Sequence, residues 1–504
     1  MTIRLSRKGK LVVASLLLLT ALSLLLAGCG FVEEKGKEVS EAAVGVSETQ
    51  RAARASRPQL PTLDENATID DYLTYALLSN PGLRSAYDRW IAASQKVPQA
   101  KSLPNPTLGY GYFIDSIETR VGPQQHRFEL MQMIPFFGKL GLRGEAALSA
   151  ARAARARYEQ ERLNLLYRVK DAYYEYYYLG RAIQITEENV NLLTRLERVA
   201  SQQVRGGAAQ QDMLKAQVEL GKLRDRLESL RDMRAAVAAR LNAELNRPTN
   251  APVPWPKEVH EQVMRFPEDQ ILQLTRSANW ELRALSSEIE RNRKLVALSR
   301  KEFYPDFGVG VAYVATGEAR GGMIPQDSGK DAVAAMLSLS LPVWRNRLHA
   351  GLREARASLA AAIEAKQQKE NTLLSQVRFA LYKHNDAVRQ VRLYGDTLIP
   401  KAQQALDSSE AGYRAGKVDF VNIIDGERQL LAFRLAYERA LAEHQQRMAE
   451  LEMLVGRPLA QPIEEKEESS AGGTTIESAP PAEGQEKGDR EATGVALEGT
   501  QLDL

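Results

Sequence analysis

A five-residue phrase, Asn80-Pro81-Gly82-Leu83-Arg84, returns 199 residues later as Asn279-Trp280-Glu281-Leu282-Arg283, and the echo continues in order along the chain. Pro106-Thr107-Leu108-Gly109-Tyr110-Gly111 is matched by Pro305-Asp306-Phe307-Gly308-Val309-Gly310 at the same offset. Ile134-Pro135-Phe136-Phe137 then pairs with Leu341-Pro342-Val343-Trp344 at 207, Val204-Arg205-Gly206-Gly207 with Tyr413-Arg414-Ala415-Gly416 at 209, and Asn246-Arg247-Pro248 with Gly456-Arg457-Pro458 at 210. Order is kept while the offset drifts, so one device is used twice with loops of different length.

Each half predicts helix, strand, strand, long helix, break, long helix. Leu166, Val169, Tyr173, Tyr176, Gly180 and Ile183 alternate spacings of three and four, the seam of a helix packed against neighbours. That run holds no proline from about Leu140 to Val204, which at 1.5 Å per residue is close to 100 Å of helix. Gly206-Gly207 breaks it, and a run with Leu220, Leu223, Leu227 and Leu230 returns until Pro248. The second half breaks near Gly416 and stops at Pro458, so the halves predict two very long antiparallel helical hairpins. Tyr173, Tyr174, Tyr176, Tyr177 and Tyr178 read as inter-helix packing with hydroxyls reaching water, not as a ligand cage.

Four short segments alternate large apolar residues with small or polar ones at period two. Leu108, Tyr110, Tyr112 and Ile114 form one apolar set; Phe307, Val309, Val311, Tyr313 and Ala315 form another; Val333, Ala335, Leu337, Leu339 and Leu341 form a third. The remaining segment, Phe128 to Ile134, places Gln132 on its apolar face. Strands of about nine or ten residues with one greasy face have the dimensions of a membrane barrel wall. Four strands cannot close a barrel, and an open edge in lipid leaves backbone groups unpaired at several kcal/mol each. If they lie in a membrane, the chain must therefore oligomerise; three copies supply twelve strands and twelve helical arms. The expected fold is mainly α, with long antiparallel hairpins forming a trimeric α-barrel above a 12-stranded transmembrane β-barrel.

At the N-terminus, Arg4, Arg7, Lys8 and Lys10 precede an apolar run from Leu11 to Leu26 that ends in Leu26-Ala27-Gly28-Cys29. About 16 apolar residues are too few to span a bilayer, and small residues before a cysteine form a lipoprotein processing site. Residues 1–28 are thus expected to be a signal peptide and Cys29 the lipidated N-terminus, with several acyl chains anchoring it stably. Gly30 rather than Asp follows, which favours the outer membrane. Cys29 is the only cysteine, excluding disulfides within the subunit and Cys-based metal sites. Residues 29–67 read as a linker, 68–250 and 251–460 as the two repeats, and 461–504 as a disordered tail. From residue 463 on, eleven acidic residues face three basic ones, so the formal charge of +3 splits into a tail of about −8 and a body of about +11. That spread carries no stripe of cations with stacking aromatics, so nucleic acid is not expected as a partner.

The lipobox, the doubled order of elements and the glycine breaks together resemble the TolC-like outer-membrane efflux family, in particular its CusC-like lipoprotein branch. The resemblance spans roughly Thr68 to Pro458. Phe136-Phe137-Gly138-Lys139-Leu140 and Leu142-Arg143-Gly144-Glu145-Ala146 are similar to the strand-to-helix junction of members associated with heavy-metal export. It implies a homotrimer in outer-membrane lipid that works with a periplasmic adaptor and an inner-membrane RND-type pump. It also implies an iris at the periplasmic helix ends. By position Asp425 matches one acidic gate residue, Asn422 stands where a second would be, and Asp212 holds the corresponding place in the first half. Asn422 for an acid halves the expected ring charge. Arg205, Gly206, Gly207, Arg414 and Gly416 fall at the tips that meet the adaptor.

His126, His260, His349, His384 and His444 are scattered without metal-ligand spacing, and no glycine-lysine phosphate loop is present, so neither a metal site nor an enzyme is expected. No cofactor is expected beyond covalent lipid on Cys29. The function implied is passive conduction of heavy-metal ions or small toxic compounds from pump to exterior. The outlet of a type I protein-secretion system would share the fold, and a non-conducting coiled-coil lipoprotein would share only the helices.

Overall fold

The fold was obtained as a computed structural model that describes residues 60–459 apart from 206–209, 258, 260–263, 265, 323 and 416, and leaves out the side chains of 203–205. The signal peptide, Cys29 and the tail therefore lie outside the described residues.

Helix α1 (Ile69–Ser79) opens on Thr68, which with Asp71 makes a capping box, and α2 (Pro81–Lys101) follows at once. Asn80 caps α2 by accepting from Leu83 N at 3.0 Å, and its Nδ2 donates to Glu244 O at 2.9 Å. In the second half α5 (Glu268–Ala278) leads into α6 (Trp280–Lys301) through Asn279, whose Oδ1 accepts from Leu282 N at 3.0 Å and whose Nδ2 donates to Leu454 O at 2.7 Å. Two asparagines thus do the same work: each starts a helix and seals the last turn of a long returning helix, leaving few orphan groups.

The long helices are α3 (Lys139–Arg205), of 67 residues, and α4 (Gln210–Glu244) in the first half. The second half has α7 (Arg345–Arg392), a π-helical turn (Leu393–Leu398), α8 (Ile399–Arg414) and α9 (Phe420–Val455). Helix α8 ends at Arg414, where the sequence predicts the second break, whereas the first predicted break, at Gly206-Gly207, lies outside the described residues, as does Gly416 itself. The π turn is a departure from the expected uninterrupted arm. Pro400 has no N–H to donate and its ring crowds the carbonyl four residues back, and widening the preceding turn accommodates both.

Helix α3 is the spine of the subunit and is buried on several sides. Leu165 is fully buried where the period predicts Leu166, and Val169, Ala172 and Tyr176 continue the seam. Tyr173, Tyr174, Tyr176 and Tyr177 are core residues, as predicted, but the hydroxyls of Tyr176 and Tyr177 correct the expectation of water. Tyr176 donates to Val253 O at 2.9 Å and Tyr177 to Glu438 at 3.0 Å, since a buried phenol needs a protein partner. Trp255 stacks on Tyr176 with centroids 4.4 Å apart and lies directly over Gly180, so no side chain fits there.

The sheet is antiparallel. β1 (Thr107–Tyr112), β3 (Gly122–Ile134), β4 (Asp306–Thr316) and β5 (Ala332–Ser340) pair in that order, with the two-residue β2 (Glu118–Thr119) folded onto the start of β3. Lengths of six and thirteen residues for β1 and β3 replace the expected nine or ten. β1 ends at Tyr112, after which Phe113 N still donates to Gln125 O at 3.1 Å but Ile114 leaves the ladder, while β3 extends six residues ahead of Phe128, through its pairing with β2 and the end of β4. β2 was not expected. The tips of the two hairpins are tied by a two-pronged ion pair of Arg120 with Asp327 and by Gly317 N donating to Pro123 O at 2.7 Å.

Candidate functional site: a conduit wall and its tip

The ladder registers decide which residues share a face. Leu108 stands opposite Leu130, Leu130 opposite Val311, and Val311 opposite Ala335; one step along, Tyr110, Phe128, Tyr313 and Val333 line up in the same way. One face is therefore a continuous apolar band across all four strands. Burying it would be strongly favourable, yet within the subunit it is bare: Leu108 is 73% and Leu337 77% exposed. Gln132 sits inside this band and is buried, because its Nε2 donates to Pro104 O and Met133 O, both at 2.8 Å. The opposite face carries Thr107, Gly109, Gly111, Arg127, Glu129, Gly308, Gly310, Ser338 and Ser340. β1 and β5 each pair on one side only among the described residues, so both outer edges keep a row of free backbone groups.

At the sheet's end the chain turns into α3 through a junction built from both halves. Gly138 takes φ +88, and Phe136 stacks on Tyr304 with centroids 4.6 Å apart and planes at 11°. Lys139, 1% exposed, donates to Asp306 Oδ1 at 2.8 Å and to Tyr304 O at 3.1 Å, and Phe136 N donates to the same Asp306 oxygen at 2.7 Å.

Asn422 and Asp425 share one exposed face of α9 at the other end of the hairpin, as their spacing predicts. Asp425 is paired: Arg428 Nη1 reaches it at 3.1 Å while Arg428 Nε donates to Glu219 on α4 at 3.0 Å. The cation also holds the Glu219 carboxyl below its usual range. Arg428 and Glu219 were not read from the sequence, and only the structure shows that they clamp α9 to α4. Asp212 belongs to a different group, near the Tyr413 hydroxyl, which burial and then the Asp212 charge push above its ordinary value. Tyr413 packs on Phe420 with centroids 5.5 Å apart, closing the α8–α9 tip, and Val418 covers Gly412 so tightly that a Cβ would lie 2.7 Å from Cγ2. Arg414 is 78% exposed at the tip and pairs with Glu410 at 3.1 Å. The Arg205 side chain lies outside the described residues.

One turn inward, Glu427 is buried with Oε2 held by Asn189 Nδ2 at 3.0 Å and Oε1 without a partner. Burial pushes its pKa up to about 7. A charged residue on the apolar stripe of Ile423, Ile424, Leu430 and Leu431 is the signal that could have found it. His384 and His444, distant in sequence, meet in the core with centroids 4.9 Å apart. Among the described residues no three His, Cys, Asp or Glu converge as metal ligands, and no helix is long and apolar enough to cross a membrane.

The model of the outer membrane efflux protein family matches residues 73–247 and 271–457, most of the chain in two blocks. The chain belongs to the outer membrane efflux protein family. Family membership accords with the two-block layout and the mainly helical fold with its small antiparallel sheet. The cobalt-zinc-cadmium resistance protein CzcC of Cupriavidus metallidurans is 20% identical over 404 residues, covering 77% of this chain and 90% of CzcC. The solved structure of CusC, studied for its folding and transmembrane channel formation, superposes with a TM-score of 0.65 at 17% identity, over 80% of this chain and 98% of CusC. The outer membrane protein VceC of Vibrio cholerae gives 0.64 at 16% identity, over 78% and 96%. These efflux-family likenesses, all under 25% identical in structure comparison, fix the fold.

Proposed function

We propose that the chain is the outer-membrane channel subunit of a tripartite efflux system, a homotrimer that passively conducts solutes from pump and adaptor to the exterior. The observation that carries this reading is the sheet: a bare apolar band on one face, a small and polar face behind it, and two unpaired edges. In lipid the band faces acyl chains, and each edge must find a partner strand. A second copy offers one, with β5 of one subunit beside β1 of the next, and a head-to-tail contact of this kind closes into a ring. The helices then continue the lumen across the periplasm, and the tips around Arg414 and Tyr413 meet the adaptor. Lipid on Cys29 anchors the assembly.

We take metal cations as the cargo, a reading supported by the likeness to CzcC and by the junction at Phe136 to Ala146. The test is purification in detergent followed by planar-bilayer recording. The expected result is a species of three chains whose insertion gives stepwise conductance, raised by variants that loosen the tip. A stable, water-soluble monomer without conductance in any variant would end this reading.

A further inference from the structure

We propose that the rim where the sheet passes into the helices is a docking surface for anionic phospholipid headgroups, with Arg300, Arg345 and Arg347 taking the phosphates. The inference rests on the reading that the apolar band faces lipid.

The band has a marked lower end. β5 stops at Ser340, but bare apolar surface continues through Leu341 and Val343 to Trp344, which is 75% exposed. Phe137, just past the end of β3, is 77% exposed, and Tyr304, just ahead of β4, is exposed as well. Aromatic side chains bordering an apolar wall belong where acyl chains give way to headgroups.

Positive charge begins where the apolar surface stops. The four junction segments, 101–106, 134–143, 300–306 and 341–347, carry seven Lys and Arg against two acids. The loops at the far end of the sheet, 113–121 and 317–331, carry three against five, so the excess is confined to the helix end. Both junction acids are engaged: Glu302 pairs with Lys139 and Arg143, each at 3.5 Å, and Asp306 with Lys139 at 2.8 Å. Lys301 lies over the Phe136 and Tyr304 rings. Arg300, Arg345 and Arg347 are exposed, and among the described residues no side chain pairs with any of them. Phe303, just past α6, meets His349 of α7 with centroids 5.1 Å apart, so the end of α6 and the start of α7 bring the three arginines to one side of the rim.

Nothing inside the subunit favours this placement. Arg345 and Arg347 stand in the first turn of α7 with no acid beside them, where the positive end of the helix dipole repels a cation. An anion from outside the chain offsets that cost. Guanidinium donors engage phosphate oxygens in pairs, and a layer of anionic headgroups attracts each basic residue beside it. Trp344 directly precedes Arg345, so a lipid whose chains lie against the indole carries its phosphate to Arg345 and Arg347.

The experiment places the full-length protein in phosphatidylethanolamine bilayers doped with a lipid brominated near the headgroup end of its chains, either phosphatidylglycerol or phosphatidylethanolamine, and reads tryptophan fluorescence. Trp344 is the reporter, and Trp344→Phe is expected to lose most of the quenching. In wild type the brominated phosphatidylglycerol is expected to quench more strongly, with a preference of about threefold or more. The combined variant Arg300→Gln, Arg345→Gln, Arg347→Gln is expected to lose that preference. Arg345→Gln with Arg347→Gln is the milder variant should the triple fail to fold, with a smaller loss in the same direction. Arg378→Gln removes an exposed arginine far along α7 and is expected to keep the preference. Equal quenching by the two lipids in wild type, or a preference unchanged in the combined variant, overturns the headgroup site alone. No quenching of Trp344 by either lipid overturns both the site and the lipid-facing reading on which it rests.

Discussion

Lys139 Nζ lies 2.8 Å from Asp306 Oδ1, an ion pair between the first residue of α3 and the first residue of β4. It joins the two halves of the chain at the place where sheet becomes helix. Because Lys139 is buried, removing its charge leaves the Tyr304 carbonyl without that donor and Asp306 with only the Phe136 N–H in place of its cation. Lys139→Met keeps the stem and is expected to cost about 3 kcal/mol, a lower bound for breaking one side of a buried pair. Thermal melting by circular dichroism in detergent checks it; an unchanged midpoint would show the pair to be dispensable.

Two helix ends with the same role differ in what they tolerate. Gly456 follows α9 at φ +93, and a Cβ there would lie 2.9 Å from Ala278 O. Gly456→Ala is expected to destabilise by roughly 1–3 kcal/mol, through left-handed strain and a clash with backbone. Asn246 ends the first hairpin at φ 55 with Nδ2 on Ser79 O at 3.2 Å. Asn246→Gly exchanges that bond for conformational ease and is expected to stay within about 0.5 kcal/mol of wild type. Comparable losses in both variants would contradict this contrast.

Arg428 ties α9 to α4 through Glu219 and holds Asp425 beside it. These groups are partly exposed, so Arg428→Ala should change stability by no more than about 1 kcal/mol. Its effect belongs in the tip: single-channel recordings are expected to show longer or larger openings than wild type. Asp425→Asn leaves the Arg428–Glu219 contact intact and should open the tip less. A silent Arg428→Ala channel would remove the clamp from the gating account.

Glu427 and the histidine pair give the pH profile two opposed arms. Glu427 is pushed up to about 7 by burial, with Asn189 and Arg434 acting against it and Glu410 with it. Its folded value exceeds the ordinary 4.5, so its contribution is full below about pH 4.5 and is lost as pH rises through about 7. His444 is pushed down to about 4 by burial and by His384, so its contribution is full above pH 6.5 and is lost as pH falls toward 4. Glu427→Gln should melt higher than wild type at pH 8, by roughly 2 kcal/mol, and equal it near pH 4. Melting curves between pH 4 and 9 decide it; a variant less stable at pH 8 would reverse the sign assigned to Glu427.

The long arms and the alternation of the strands were legible because each is a local regularity: a missing proline, a period of two. Asp425 and Asn422 on one helix face followed from spacing alone. What the sequence withheld depends on partners far along the chain. The Arg428 clamp needs Glu219 on another helix, and the His384–His444 contact needs the α7–α9 packing. The π turn before Pro400 and the internal partners of Tyr176 and Tyr177 were missed for a related reason. Propensity describes a helix by itself, whereas those details answer to what is packed against it.

The two unsatisfied edges of the sheet have a genetic corollary. In the proposed ring each copy must present a sound β1 to one neighbour and a sound β5 to the other, so a single damaged strand opens one joint and with it the whole ring. A cell expressing intact and edge-defective alleles together should behave more like the defective parent than its share of good protein would suggest.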